Sequence, residues 1–502
     1  MLRKTRLAIV SLGLALGGAG CNSFLTGDKL SNDPNNSTDA TLLTLFVAMQ
    51  GAQSAFHEGT IAMMSCEWVQ ACGATSARFV ELAGRYDYGN ASNIGANSGD
   101  WTTLYTGGGL IDLRNIKTAA TATGDSVYLG IAKIWEAFTI GRAADLWSGI
   151  PYSQTTTTAT PDTDSQFAVY AAVQALLSQA ITELTVDTVH THGPLSGDIV
   201  FGGLATQGAQ RAAWIATAWT LKARYWLHLV NAAANGKLPG LTAAQVYDSA
   251  IAAATNGISD PTGAHDFRMA HFGPQNQQNM WAQFQQFSGF GSDLEAGKPL
   301  VDYMKARNDP RIPLYFCKNK GGGYGGDAFN PPAVNADSVS NYACLPPRFA
   351  PTAGAPYVTY AERELILAEA NSTTARGAGG NDAVSLTHLN NELAVPGSAS
   401  GTTLPAMPTV LAVTGPALLD SIMMEKWVVM FQNIESLMDY RRTCLPAITP
   451  VAGNFLGVSF VPGRLFYPQS ERNVNPTHIP LESEELSAGL RTQSDVTTTC
   501  HP

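Results

Sequence analysis

The chain has 502 residues, of which 45% are hydrophobic and 14% charged, against about 25% charged in an average globular chain. That composition supplies a large core and excludes a wholly disordered tether. With 30 Lys and Arg against 40 Asp and Glu the net charge is −10. No cationic cluster offers the surface that phosphate-backbone binding requires, so nucleic acid is not expected as a partner.

Residues 1–20 read as a signal peptide: a basic start (MLRKTR), an apolar stretch too short to span a bilayer permanently, and small residues before Cys21. The segment resembles a bacterial lipoprotein cleavage box, with Gly18 where an aliphatic residue is usual. Acylation of Cys21 would add about 0.8 kcal/mol of membrane affinity per buried methylene. Residues 21–38, rich in Asn, Asp, Ser and Thr around Pro34, form the expected tether. No later stretch has the roughly 18 consecutive apolar residues of a membrane span, so a soluble body is expected beyond the anchor.

Helical periodicity dominates the rest, in chain order. Leu42, Leu45, Phe46, Met49 and Phe56 share one face, and Trp101 to Ala120 follows as a second helix. Val127, Ile131, Ile134, Trp135 and Phe138 mark a third, with Asp125 at its N-cap and Gly149 and Pro151 ending it near Trp147. Phe167, Tyr170, Val173, Leu177, Ile181 and Leu184 line a fourth. Further helices are expected over Ala212 to Ala233, Ala243 to Thr255 (capped by Thr242), Tyr357 to Asn371, Asp382 to Leu393 and Pro416 to Arg442. Antiparallel helix pairs are the natural arrangement, comparable to a tetratricopeptide solenoid without its consensus repeat. Long irregular stretches lie between them, at 74–99, 185–210, 256–290, 313–356, 395–414 and 443–502, and loops of that length usually carry function.

Once Cys21 is set aside, six cysteines remain, an even number that favours three disulfides in an exported chain. Proximity in sequence pairs Cys66 with Cys72, Cys317 with Cys344, and Cys444 with Cys500; buried free thiols are the alternative. The first pair needs its helix to end before Cys72, because six helical steps of about 1.5 Å separate alpha carbons too far for a bridge. Gly73 is the expected helix-ending residue.

Catalytic signatures are sparse. Gly321, Gly323 and Gly326 match G-x-G-x-x-G, but KGGGYGGD lacks the strand and helix that would aim amides at a pyrophosphate. His190 and His192 have no third ligand at metal spacing, so neither metal nor cofactor is expected. Glu362 and Glu369 stand two helical turns apart, either as an acid/base pair or as buried carboxylates held by Arg441 or Arg442. Asp145 in ADLWSGIPY reads as a buried carboxylate bonding to backbone amides in a turn. Thr155 to Thr158 is a low-complexity run without a deduced role.

Aromatic clustering is the sharper signal. Tyr86, Tyr88, Asn90 and Trp101 gather in one region, and Asn279, Trp281, Phe284 and Phe287 in another that is rich in Gln, with Tyr324 in a third loop. Ring faces beside amide side chains suit sugars, whose C–H bonds stack on the ring while their hydroxyls are hydrogen-bonded, and they suit apolar peptides almost as well. Each ring has the competing role of anchoring its loop in the core.

At ADLWSGIPYSQ (144–154) the sequence resembles the SusD/RagB family of nutrient-binding outer-membrane lipoproteins. WIATAWTLKARYWLHL (214–229), KARNDPRIPLYF (305–316), YVTYAERELILAEA (357–370) and MMEKWVVMFQNIESLMDYRR (423–442) resemble further blocks of that family, in its order. The resemblance implies a mainly α fold of four tetratricopeptide-like helix pairs packed against a loop-rich variable lobe. Residues 39–502 would form one domain, with the lobe drawn mainly from 256–356 and 395–414. It also implies a non-enzymatic lid on a SusC-like TonB-dependent transporter, lipid-anchored to the outer membrane, exposed at the cell surface and capturing oligosaccharides or peptides. An exported helical glycoside hydrolase using paired carboxylates is the opposing reading, marked by two carboxyl groups about 5–9.5 Å apart in an open cleft.

Overall fold

The computed structural model describes residues 40–75, 85–86, 98–186, 193–286, 294–329, 336–395, 405–410, 412–495 and 500. The described residues from Phe46 onward belong to one compact unit. Its helices begin with α1 (Leu42–Glu58) and α2 (Thr60–Trp68), then α3 (Ser98–Tyr105), α4 (Leu110–Thr123) and α5 (Ser126–Trp147). Next come α6 (Gln166–Val186), α7 (Gln207–Leu227) and α8 (Ala243–Thr255). The second half carries α9 (Met280–Gln286), α10 (Lys298–Ala306), α11 (Ile312–Tyr315), α12 (Tyr360–Asn371), α13 (Asp382–Ala394), α14 (Gly415–Val429), α15 (Glu435–Thr443), α16 (Gln469–Val474) and α17 (Glu482–Ser487).

Four helix pairs stack in sequence: α4 with α5, α6 with α7, α8 with α12, and α13 with α14. Each pair packs on the next, α5 on α6, α7 on α8, and α12 on both members of the last pair. The two-residue link Gly124–Asp125 forces the first reversal. Gly124 takes the left-handed conformation (φ 70°), and the Asp125 carboxylate accepts from the amides of Val127 and Tyr128 at 3.1 Å. Thr242 and Gln245 form a reciprocal capping box at the start of α8. α5 is buried almost all round from Val127 to Trp147, as a helix with neighbours on several sides must be. Its glycines set that packing distance, because a Cβ at Gly141 would meet the Tyr225 ring of α7 at 2.2 Å and one at Gly130 would meet Leu184 of α6 at 2.7 Å. α6 is long and apolar enough to cross a membrane, but its apolar stripe (Val169, Tyr170, Val173, Leu177, Leu184) is buried in the stack.

Two short antiparallel sheets tie the second half to these helices. β1 (Cys72–Gly73) pairs with β3 (Glu295–Ala296), and β2 (Phe267–Met269) pairs with β4 (Ala355–Val358). Tyr315, Phe316, Tyr342, Phe349 and Phe431 pack ring against ring, with Tyr342 and Phe349 stacked at 4.0 Å. Met407, from the 395–414 stretch, packs into the core shared by α12, α13 and α14. The C-terminal stretch returns to the first helices: the Trp147 indole donates to the Phe466 carbonyl at 3.1 Å, and the Leu465 amide to the Leu146 carbonyl at 2.7 Å. Further along it, the Ser494 amide donates to the Gln166 side chain at 2.7 Å.

Three disulfides join Cys66 to Cys72, Cys317 to Cys344 and Cys444 to Cys500, with alpha carbons 5.1, 5.9 and 5.4 Å apart. α2 does end before Cys72, but the turn is made by Gln70 at φ 54° rather than by Gly73. Gly73 lies in β1, where a Cβ would meet Asp327 at 2.6 Å.

Several expected helices are shorter than their apolar periodicity. Trp101 to Ala120 divides at Gly107 and Gly108, both at positive φ. Ala212 to Ala233 starts earlier, capped by Thr206, and breaks after Leu227 into a short Val230–Ala234 segment. Pro416 to Arg442 breaks between Val429 and Glu435, and Tyr357 and Val358 belong to β4 rather than to α12. Conversely, α9, α11, α16 and α17 fall in stretches expected to be irregular, where four to seven residues give too little periodicity to register.

Because the α5–α7 approach admits no side chain, Gly141→Ala is expected to destabilise the fold by about 1–3 kcal/mol. Urea unfolding of the variant against the wild type measures this.

Candidate functional site

The strongest sequence candidates are pillars behind the surface. Trp281 is 1% exposed, donates its indole N–H to the Glu58 carbonyl at 2.9 Å, and packs on Phe349 and Phe431. Asn279, 2% exposed, caps α9 through Oδ1, which accepts from the Trp281 amide at 3.0 Å, and donates Nδ2 to the Ala353 carbonyl. Trp101 is buried edge-on to Trp147 and Tyr467, with its indole N–H on Glu471 at 3.1 Å. The Tyr86 hydroxyl accepts from the Val451 amide at 3.0 Å, and burial pushes this phenol far up. These four have no free ring face or amide for a ligand, because their polar atoms hold loops in place. Phe284 and Tyr324 are half-buried. Tyr88, Asn90, Phe287 and Cys21 lie outside the described residues.

Asn279 and Trp281 border a segment that lines a pocket of about 590 Å³. Val47, Gly51, Ser54 and Ala55 of α1 form one wall. The opposite wall runs from the end of β2 into α9 and carries His271, Phe272, Asn276, Gln277, Gln278 and Gln283. Phe272 is 49% exposed, unusual for a large apolar ring. Its amide donates to the Gln277 carbonyl at 2.9 Å, closing the turn that presents the amide side chains. Gln278 donates to the Gly273 carbonyl at 2.8 Å and accepts from Gln286 at 3.1 Å, so its amide is held while still lining the cavity. An exposed ring beside side-chain amides, with the nearest carboxylate already bonded, suits a neutral hydroxylated ligand. The segment singled out in the sequence lines this pocket, but Asn279 and Trp281 stand behind its surface rather than on it. The run Pro274 to Gln278 (PQNQQ) is the polar part of this segment, and Asn279 ends it as a buried anchor.

The carboxylates that suggested catalysis are engaged in the core. Arg224 forks onto Glu362 at 2.5 and 2.6 Å, so the partner of Glu362 is neither Arg441 nor Arg442. Glu369 meets Arg442 and, at 2.8 Å, Lys426, and these cations hold its carboxyl down at about 2 against the opposing effect of burial. Both glutamates are at most 2% exposed, so neither lines an open cleft. Asp145 bonds to side chains from other helices rather than to turn amides: it accepts from the Tyr170 hydroxyl at 2.6 Å and faces His228 Nδ1 at 2.8 Å. His228 Nε2 meets Glu435 at 2.6 Å, so the imidazole stands between two carboxylates as their shared cation. Thr155, Thr156 and Thr158 line a second cavity of about 360 Å³ with Arg114 and Glu471. The donors of Arg114 go to Thr155 and to the Tyr152 carbonyl.

Stacked helix pairs with an amide-lined pocket at their side place the chain among helical-repeat folds. The family model described as "Starch-binding associating with outer membrane" (SusD-like) matches residues 32–468, and the chain belongs to that family. A SusD homologue from Bacteroides fragilis is 20% identical, with a TM-score of 0.67 over 91% of this chain and 98% of its own. A chitin-binding SusD homologue from Flavobacterium johnsoniae is 18% identical, with a TM-score of 0.69 over 91% and 99%. A SusD-like protein from Bacteroides thetaiotaomicron is 19% identical, with a TM-score of 0.67 over 91% and 96%. At these identities the likeness is one of fold. No curated protein matches the sequence.

The His228 cluster gives a pH dependence whose sign follows from its surroundings. Burial alone would lower this histidine, but Asp145 and Glu435 outweigh it and raise it from 6.5 to about 9. Its contribution is therefore full below pH 6.5 and lost as pH rises through about 9. The stability gap between wild type and His228→Gln is expected to narrow by about 3 kcal/mol between about pH 6 and about pH 10. Urea unfolding across that range checks it, and a constant gap would refute the ion-pair assignment.

Proposed function

We propose that this protein is a cell-surface nutrient-binding lipoprotein that captures oligosaccharides without turning them over. In this reading Cys21 carries the lipid anchor, and the protein acts as the lid of a SusC-like TonB-dependent transporter in the outer membrane. The observation that carries the ligand assignment is the pocket between α1 and residues 269–283, with exposed Phe272 beside Asn276, Gln277, Gln278 and Gln283. Support for a glycan comes from the family description and from the chitin-binding homologue, which shares this fold. Support for binding rather than hydrolysis comes from Glu362 and Glu369, each neutralised by buried cations.

Array binding of the protein from Cys21 onward, with chitin and starch oligosaccharides and peptides as probes, tests the ligand class. Phe272→Ala and Gln278→Ala are each expected to weaken glycan binding by about tenfold, the equivalent of about 1.4 kcal/mol, with the fold intact. Binding unchanged in both variants, or retained only by peptides, would overturn the pocket assignment. For the partner, gentle solubilisation of native membranes is expected to recover an outer-membrane barrel with the protein, and Cys21→Ala is expected to release the protein from the membrane.

A further inference from the structure

The two walls of the pocket come from distant parts of the chain, and one ionisable pair joins them. His271, on the β2 side, places Nε2 2.8 Å from Glu58 Oε2, at the last residue of α1. Glu58 is 2% exposed and fixed from behind: the Tyr357 phenol of β4 bonds its other oxygen, and its backbone carbonyl takes the Trp281 indole at 2.9 Å. His271 directly precedes Phe272, whose amide donates to the Gln277 carbonyl and closes the turn. The ring thus ties the amide-bearing turn to α1, and only the imidazolium makes this contact an ion pair.

We infer that His271 is a positioning residue whose protonation clamps the amide wall against α1 and makes ligand capture pH-dependent. This inference rests on the pocket being the ligand site, although the clamp itself is a property of the unliganded protein. The groups around the ring agree with it. Glu58 is the charge facing it from α1, and Tyr357 faces that carboxylate from β4. Arg268, the nearest cation on β2, is paired with Asp266 at 2.5 Å. His57, beside Glu58, is held neutral by burial and by Arg142 and Arg224. Burial lowers His271, but the Glu58 charge and the hydrogen bond to it outweigh burial and leave the ring above the ordinary 6.5. The clamp is therefore fully closed below pH 6.5 and opens as pH rises through that raised value. Loss of the ion pair frees the turn carrying Phe272, Gln277 and Gln278, the side chains that would meet a sugar.

Hydrogen exchange of the mature chain at about pH 5.5 and about pH 8.5, corrected for intrinsic rates, reads the clamp without a ligand. Amides of 272–283 in the wild type are expected to be protected at least about tenfold more at the lower pH, and those of α5 equally at both. His271→Gln and Glu58→Gln are each expected to abolish the difference, with circular dichroism and unfolding confirming that the variants fold. Histidine NMR of the wild type supplies the titration independently, so a variant that fails to fold does not remove the test. Equal protection of 272–283 at both pH values, or no titration of His271 above 6.5, would overturn the inference. Glycan binding by chitin oligosaccharides, lost in Phe272→Ala yet independent of pH, would refute the clamp and leave the pocket standing. A pH-dependent clamp with no glycan bound would refute the ligand reading and leave the clamp standing.

Discussion

The fold depends on burying charge in pairs between helices that apolar packing alone would not orient. α15 is the clearest case: Glu435, Asp439, Arg441 and Arg442 all lie in the interior. Glu435 meets His228, Arg142 and Arg224; Lys426 and Arg442 each pair with both Asp439 and Glu369; Arg441 reaches Asp145 and Asp495. Such pairs add little net stability over apolar residues of similar volume, but removing one partner leaves a charge stranded at a cost of about 3–5 kcal/mol. Each pair therefore dictates which faces of α5, α7, α12 and α14 meet α15. The low charge content takes on a different meaning in this light, since many of the chain's few charges are used inside rather than offered to water.

The same division of labour explains the pocket. Trp281, Asn279 and Glu58 are fixed by bonds to backbone or to one another, and they hold a turn whose exposed members are amides and one phenylalanine. A site of this kind needs no reorganisation to receive a neutral ligand, which limits the ordering cost of binding. The two nearby histidines show how environment separates identical side chains. His57 stacks on Phe138 at 4.1 Å with cations around it and stays uncharged, whereas His271 faces a carboxylate.

Local chemistry was legible in the sequence where it is set by neighbours along the chain. The caps at Asp125 and Thr242, the stop after Trp147, the pairing of nearby cysteines and the Arg442 partner of Glu369 all follow from residues close in sequence or from simple charge balance. The Arg224–Glu362 fork, 138 positions apart, could not be chosen over Arg441 without the fold. The aromatics divide for a related reason: Trp281 and Phe272 carry equally good rings, and only tertiary packing decides which one turns inward. Apolar periodicity likewise ran through the breaks near Gly107 and between Val429 and Glu435, because both sides of each break remain buried.

The return of the C-terminal stretch to the first helices sets an order of assembly. Trp147 finds the acceptor for its indole 319 positions later, at Phe466, and Gln166 is met by Ser494 after 328. Until those residues emerge, the first two helix pairs carry interior polar groups without partners and an uncovered apolar flank. A nascent chain of this design cannot complete its native core until its C-terminal stretch has been made.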